Sequence, residues 1–140
     1  MNLETKKMNA LFNKILKAEG VEMAEIEPYW GHVFDSPAGE FLVLTEEEAD
    51  GMAAEYIKET ASFFNASFLS SMTGLASKVF EALVDENEAV WAIIEGSCGA
   101  EAFVEEAIRW DGRGHFLSSY DGEEIEVEVD GEWFFIYRTN

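Results

Sequence analysis

The segment from Glu123 to Arg138 leaves a folding chain few options. It reads Glu123-Glu124-Ile125-Glu126-Val127-Glu128-Val129, then Asp130-Gly131, then Glu132-Trp133-Phe134-Phe135-Ile136-Tyr137-Arg138. The first run alternates acidic and apolar residues, the period of a strand with one wet and one dry face. An Asp-Gly pair between two such runs is the strongest short-range hairpin signal, because both central residues of the favoured two-residue turn need positive φ. A two-residue loop then sets the register. Val129 faces Glu132, Glu128 faces Trp133, Val127 faces Phe134, Glu126 faces Phe135, Ile125 faces Ile136 and Glu124 faces Tyr137. One face of the hairpin is Ile125, Val127, Phe134 and Ile136, which belongs in a core. The other carries Glu124, Glu126 and Glu128 beside Trp133, Phe135 and Tyr137.

The rest of the chain supplies what packs on that hairpin. Met8, Leu11, Phe12, Ile15 and Leu16 recur at helical spacing and Gly20 ends the pattern, so residues 1–20 form an amphipathic helix with Lys6, Lys14 and Lys17 on its solvent face. Tyr29 to Asp35 reads as a strand, Ser36-Pro37-Ala38-Gly39 as a turn and Phe41 to Leu44 as the returning strand, giving a hairpin over 29–45. Thr45 with Glu48 three residues on is a capping box for the helix that follows. Residues 45–110 are helical in short pieces, with apolar stripes at Leu75, Val79, Phe80 and Leu83, at Val90, Ile93 and Ile94, and at Ala100, Phe103, Val104, Ala107 and Ile108. Residues 111–140 are a glycine-rich loop and the C-terminal hairpin. Helices and strands that do not alternate predict an α+β fold, helices packed on a small, mostly antiparallel sheet. No linker or repeat divides the 140 residues, so a single domain over 1–140 is expected.

Charge narrows the function. The chain carries 29 acids against 9 Lys and Arg, a net charge of −20. Between Ala18 and Ile108 the only Lys or Arg are Lys58 and Lys78. Direct binding of nucleic acid through its phosphates needs a basic surface and is excluded on this ground. Ordinary solubility does not need so much charge, and self-repulsion on this scale disfavours a compact state. A surface for a cationic partner is the sharper reading; a halophilic or merely solubilising acidity is the plainer one. Cys98 is the only cysteine, so no intramolecular disulfide or cysteine zinc site is possible. The start lacks the apolar stretch of a secretory leader, and no apolar run is long enough to cross a membrane, so a cytoplasmic setting is expected and Asn65-Ala66-Ser67 is a chance glycosylation match.

Motifs for chemistry are sparse. The sequence contains no phosphate-binding loop, no serine-hydrolase elbow, no zinc-protease helix and no calcium loop, and no metal or cofactor is expected. Arg113 and His115, flanked by Gly112 and Gly114, form the one polar constellation that could hold an anion or exchange a proton. The plainer account is a turn shaped by glycines with Arg113 paired to a local carboxylate. On the hairpin, acids two apart on a strand lie roughly 6.7 Å from each other, close to the spacing of phosphates along a nucleic-acid strand. Aromatics beside such a row suit interface anchors; the plainer account is that helices cover the aromatics while the Glu side chains reach out at an edge. Glu124, Glu126, Glu128, Trp133, Phe135 and Tyr137 are therefore the candidate partner-binding residues.

The block Asp111-Gly112-Arg113-Gly114-His115-Phe116-Leu117-Ser118-Ser119-Tyr120-Asp121-Gly122, with Tyr137-Arg138-Thr139-Asn140, resembles small acidic proteins of phage and prophage genomes, as does Leu42-Val43-Leu44-Thr45-Glu46-Glu47-Glu48-Ala49-Asp50. The resemblance covers about the last hundred residues and implies no catalytic residue. In general character the chain is also similar to anti-CRISPR and anti-restriction proteins that mimic nucleic acid. That likeness implies an inhibitor without catalysis in a host bacterial cytoplasm, bound to a basic nucleic-acid-binding protein such as a nuclease or CRISPR effector. Two other classes stand beside it: an enzyme or small-ligand binder using Arg113 and His115, and a phage structural or assembly protein.

Overall fold

The computed structural model describes all 140 residues. The chain divides into two compact units, one made of Met1–Met52 with Arg113–Asn140 and one of Ala53–Gly112.

The first unit is built on a five-stranded antiparallel sheet. Its strands are β1 (Glu27–Tyr29), β2 (Val33–Ser36), β3 (Gly39–Leu44), β4 (Ile125–Val129) and β5 (Glu132–Arg138), in the order β1-β2-β3-β5-β4. The α+β class and the C-terminal hairpin expected from the sequence are therefore present. The hairpin pairs in the expected register over its whole length, from Val129 opposite Glu132 to Ile125 opposite Ile136. Asp130 and Gly131 have φ of 52° and 83°, so the turn is of the type that Asp-Gly favours.

Helix α1 (Leu3–Leu11) covers one sheet face. Asn2 caps it by accepting the Thr5 amide at 2.8 Å, and a wider π-type turn, Phe12–Leu16, extends it. Ala10, Leu11 and Leu16 pack with Phe34, Phe41, Val43, Phe134 and Ile136 into a core that Ile125, Val127 and Val129 border. Helix α2 (Glu46–Glu59) starts in this unit, and the capping box forms: the Thr45 amide donates to Glu48 and the Glu48 amide to the Thr45 hydroxyl, at 2.9 and 3.2 Å. Glu48 also accepts at 2.7 Å from Lys7, whose side chain is only 2% exposed, so one carboxylate caps α2 and neutralises a buried lysine of α1. Lys6, expected on a solvent face, bridges to Glu132 at 2.8 Å.

Two local expectations are corrected. The strand foreseen over Tyr29–Asp35 is broken after Tyr29 by a turn, which yields three strands where a hairpin over 29–45 was expected. Trp30 and Gly31 both have positive φ, 53° and 79°; Gly31 takes this conformation freely, whereas Trp30 adopts it against its preference. His32 thus sits in a turn, not on a strand. The stretch after Asp111 is not wholly a loop: Arg113–Leu117 is a short helix, α7, entered through Gly112 at φ 81°. Gly114 lies in α7 because a Cβ there would collide with the Gly122 carbonyl and stand 2.8 Å from the Glu123 carbonyl carbon.

The second unit is helical. It contains the rest of α2, then α3 (Ala66–Thr73), α4 (Ser77–Ala82), α5 (Asn87–Gly96) and α6 (Ala100–Asp111). Phe80, Val90, Ile94 and Phe103 of the apolar stripes lie in its core together with Leu69 and Trp91, which the stripes did not include, while Leu75 and Val79 stay exposed. Asn87 at the start of α5 accepts the Ser62 amide and donates to the Lys58 carbonyl, both at 2.9 Å.

Candidate partner-binding face and the Arg113 network

The six hairpin candidates share one sheet face, as the register required, but they do not share one environment. Glu126 and Glu128 on β4 are exposed, and Trp133, paired opposite Glu128, is 50% exposed. Phe135 and Tyr137 are buried, at 4% and 0%, so the expectation that they act as exposed anchors is corrected. Nothing in the alternation of the hairpin itself could show this. The covering groups come from segments distant in sequence.

Arg113 supplies part of the cover over Phe135. Its guanidinium lies 4.5 Å from the Phe135 ring centroid. Its Nε donates to Glu124 at 2.8 Å, and its Nη1 donates to Glu46 at 3.0 Å and to Asp50 at 2.9 Å. The Tyr137 hydroxyl donates to the same Glu124 oxygen. Glu124 is therefore not part of a free acidic row. It is half-buried and tied from two sides, in correction of its place among the partner-binding residues. Burial pushes the Tyr137 phenol well above its ordinary value, and the hydrogen bond to Glu124 pushes it further. For Arg113, burial alone would lower the pKa, but its bonds to Glu124 and Asp50 outweigh that and hold the cation firmly.

Arg113 and His115 do not converge on a site. The Arg113 side chain is 10% exposed and committed to three carboxylates, the plainer of the two readings of its motif. His115 is exposed, with its ring edge-on to Phe116 at 5.0 Å. The helical turn of α7 separates their directions, which a reading as a flexible glycine loop could not foresee.

The other two arginines are also engaged within the protein. Arg138 donates to the Ala38 and Asn140 carbonyls at 2.7 and 3.0 Å and stacks 3.9 Å over the Tyr120 ring. Arg109 pairs with Glu106 at 3.2 Å. Lys14, Lys17, Lys58, Lys78 and Arg109 are the exposed basic residues, against a much larger number of exposed carboxylates. No group of three or more His, Cys, Asp or Glu is placed to hold a metal ion, and no helix is long and apolar enough to cross a membrane.

Among the exposed aromatics that sequence reasoning did not single out, which include Trp110 and Phe63, Trp30 is the most exposed. Trp30, at the tip of the β1–β2 turn, is 85% exposed and stands 6.0 Å from the half-exposed Tyr29 ring. The adjacent Gly31 was the only signal of the turn. In comparisons with known proteins, the chain matches no family model, no curated protein and no solved structure.

Proposed function

We propose that the protein is a binding inhibitor that presents carboxylates to the cationic channel of a nucleic-acid-binding protein. The observation that carries this reading is the exposed strip Glu126, Glu128 and Trp133 in a chain of net charge −20 whose three arginines are all turned to its own groups. A channel built to neutralise phosphates attracts a row of carboxylates, and long-range attraction speeds the encounter. Charge alone gives no register, so the half-exposed indole of Trp133 supplies the contact that holds one orientation. The phage setting draws its support from the resemblance of the C-terminal block, and the counter-defence role, with a host nuclease or CRISPR effector as target, from the general likeness to acidic proteins that mimic nucleic acid.

The test is a pull-down from bacterial lysate followed by binding kinetics on the protein recovered. Glu126→Gln with Glu128→Gln keeps the shape of the hairpin and removes two charges. Glu124 is left untouched because it belongs to the Arg113 network. The expected result is slower association by several-fold and a flatter dependence on salt. Trp133→Ala is expected to speed dissociation instead. Capture of no basic protein, or a double Gln variant that binds unchanged at low and physiological salt, refutes the reading.

A further inference from the structure

The two ends of the sheet are not equivalent. At one end β1 has only three residues, and Pro28 at its centre has no N–H to offer a further strand. At the other end β4 has five residues, none of them proline or glycine, and no strand lies beyond it. The tight turn Asp130-Gly131 makes Val129 and Glu132 the closing hydrogen-bonded pair of the hairpin. Pairs alternate from there. Ile125, Val127 and Val129 therefore turn their backbone groups to β5, and Glu126 and Glu128 turn theirs outward to the free edge.

We infer that the β4 edge takes up an extended, antiparallel segment of a partner protein in which basic and apolar residues alternate. The added strand would form its hydrogen-bonded pairs with Glu126 and Glu128. Residues directly opposite share a sheet face, so its side chains at those positions would stand beside the two exposed carboxylates, where Lys or Arg fits. Its intervening side chains would fall on the other face, beside the half-buried Ile125, Val127 and Val129, and would extend the core that α1 covers. The same carboxylates choose the occupant. A second copy of β4 laid against the first would put Glu against Glu and is repelled, which is also how exposed edges avoid self-association. Main-chain bonds give such docking its affinity, and alternate side chains give it selectivity.

This inference rests on the reading of the chain as a binder of basic proteins, and the test separates the two. The probe is a capped seven-residue peptide alternating Lys and Val, titrated into the whole protein at low salt. Two further peptides carry backbone N-methyl groups, one on every Lys and one on every Val. Strand addition predicts that methylation on Lys, whose N–H groups face β4, weakens binding by about ten-fold or more, while methylation on Val leaves it within about two-fold. It also predicts slowed amide exchange at Glu126 and Glu128 on peptide binding. Equal binding of the two methylated peptides, without that protection, overturns strand addition and leaves a charge-driven surface. No binding of any cationic peptide overturns both readings.

Discussion

Replacing Arg113 by Ala probes the network that divides the hairpin face into a buried and an exposed half. The substitution leaves the half-buried Glu124 with only Tyr137 as a partner and uncovers the Phe135 ring. Removing one partner of a buried ion pair costs about 3–5 kcal/mol, and the 23% exposure of Glu124 places this site at or below the lower end. The pairs to Glu46 and Asp50 add little, because both acids are more than half exposed and such pairs are worth about 0–1 kcal/mol. Contact with the aromatic face adds about 1 kcal/mol. The expected loss is about 3–4 kcal/mol, a large part of the stability of an ordinary domain. Urea unfolding at neutral pH, followed by circular dichroism, measures it. Arg113→Lys keeps the charge but cannot serve three carboxylates and a ring at once, so about half the loss should remain. Adding Glu124→Gln to Arg113→Ala should recover part of it, since no unpaired charge is then left inside. A loss below about 1 kcal/mol for Arg113→Ala, or full stability for Arg113→Lys, would mean that Phe135 and Tyr137 are held down by something other than this guanidinium.

Other perturbations have equally definite outcomes. Gly114→Ala should cost about 2 kcal/mol or more in the same assay, because the atoms in its way are backbone and cannot swing aside. Trp30→Asn should raise thermal stability slightly, by about 0.5–1 kcal/mol, because the ring is exposed and its left-handed backbone suits Asn better. Burial would raise the Glu48 pKa, but the Lys7 ammonium and the Thr45 amide outweigh it and hold the carboxyl below its ordinary 4.5. A lowered folded-state pKa gives stability that is complete above the unfolded value and lost as pH falls through the folded one. Unfolding curves between about pH 5 and 3 should therefore show a shallower acid limb for Lys7→Met than for the parent chain.

Local signals were legible wherever a few neighbouring residues decide the outcome. The Asp130-Gly131 pair with its alternating flanks settled a hairpin register, and Thr45 with Glu48 settled a helix start. The break after Tyr29 was not legible, because Trp30 carries no preference for a turn and Gly31 alone is a weak signal. The fate of the candidate face was not legible either. Phe135 and Tyr137 alternate with Phe134 and Ile136 as a two-faced strand should, and whether the second face stays open depends on Arg113, which sequence spacing could place only in a loop. Lys7 shows the same limit. Its burial depends on Glu48, which is 41 residues away and was explained in full by its role as a cap.

The strand order has a consequence for the growing chain. β3 is central in the finished sheet, yet its neighbour β5 lies far along the sequence; Thr139, just beyond β5, bonds to Glu40 from 99 residues away. Until the ribosome has passed residue 138, β3 presents Phe41, Leu42, Val43 and Leu44 along an unpaired edge, the kind of surface on which nascent chains stick to one another. The helical unit, Ala53–Gly112, is continuous in sequence and can close on its own contacts during that wait. Like-charge repulsion between acidic nascent chains would then keep neighbouring polypeptides apart while β3 waits for β5.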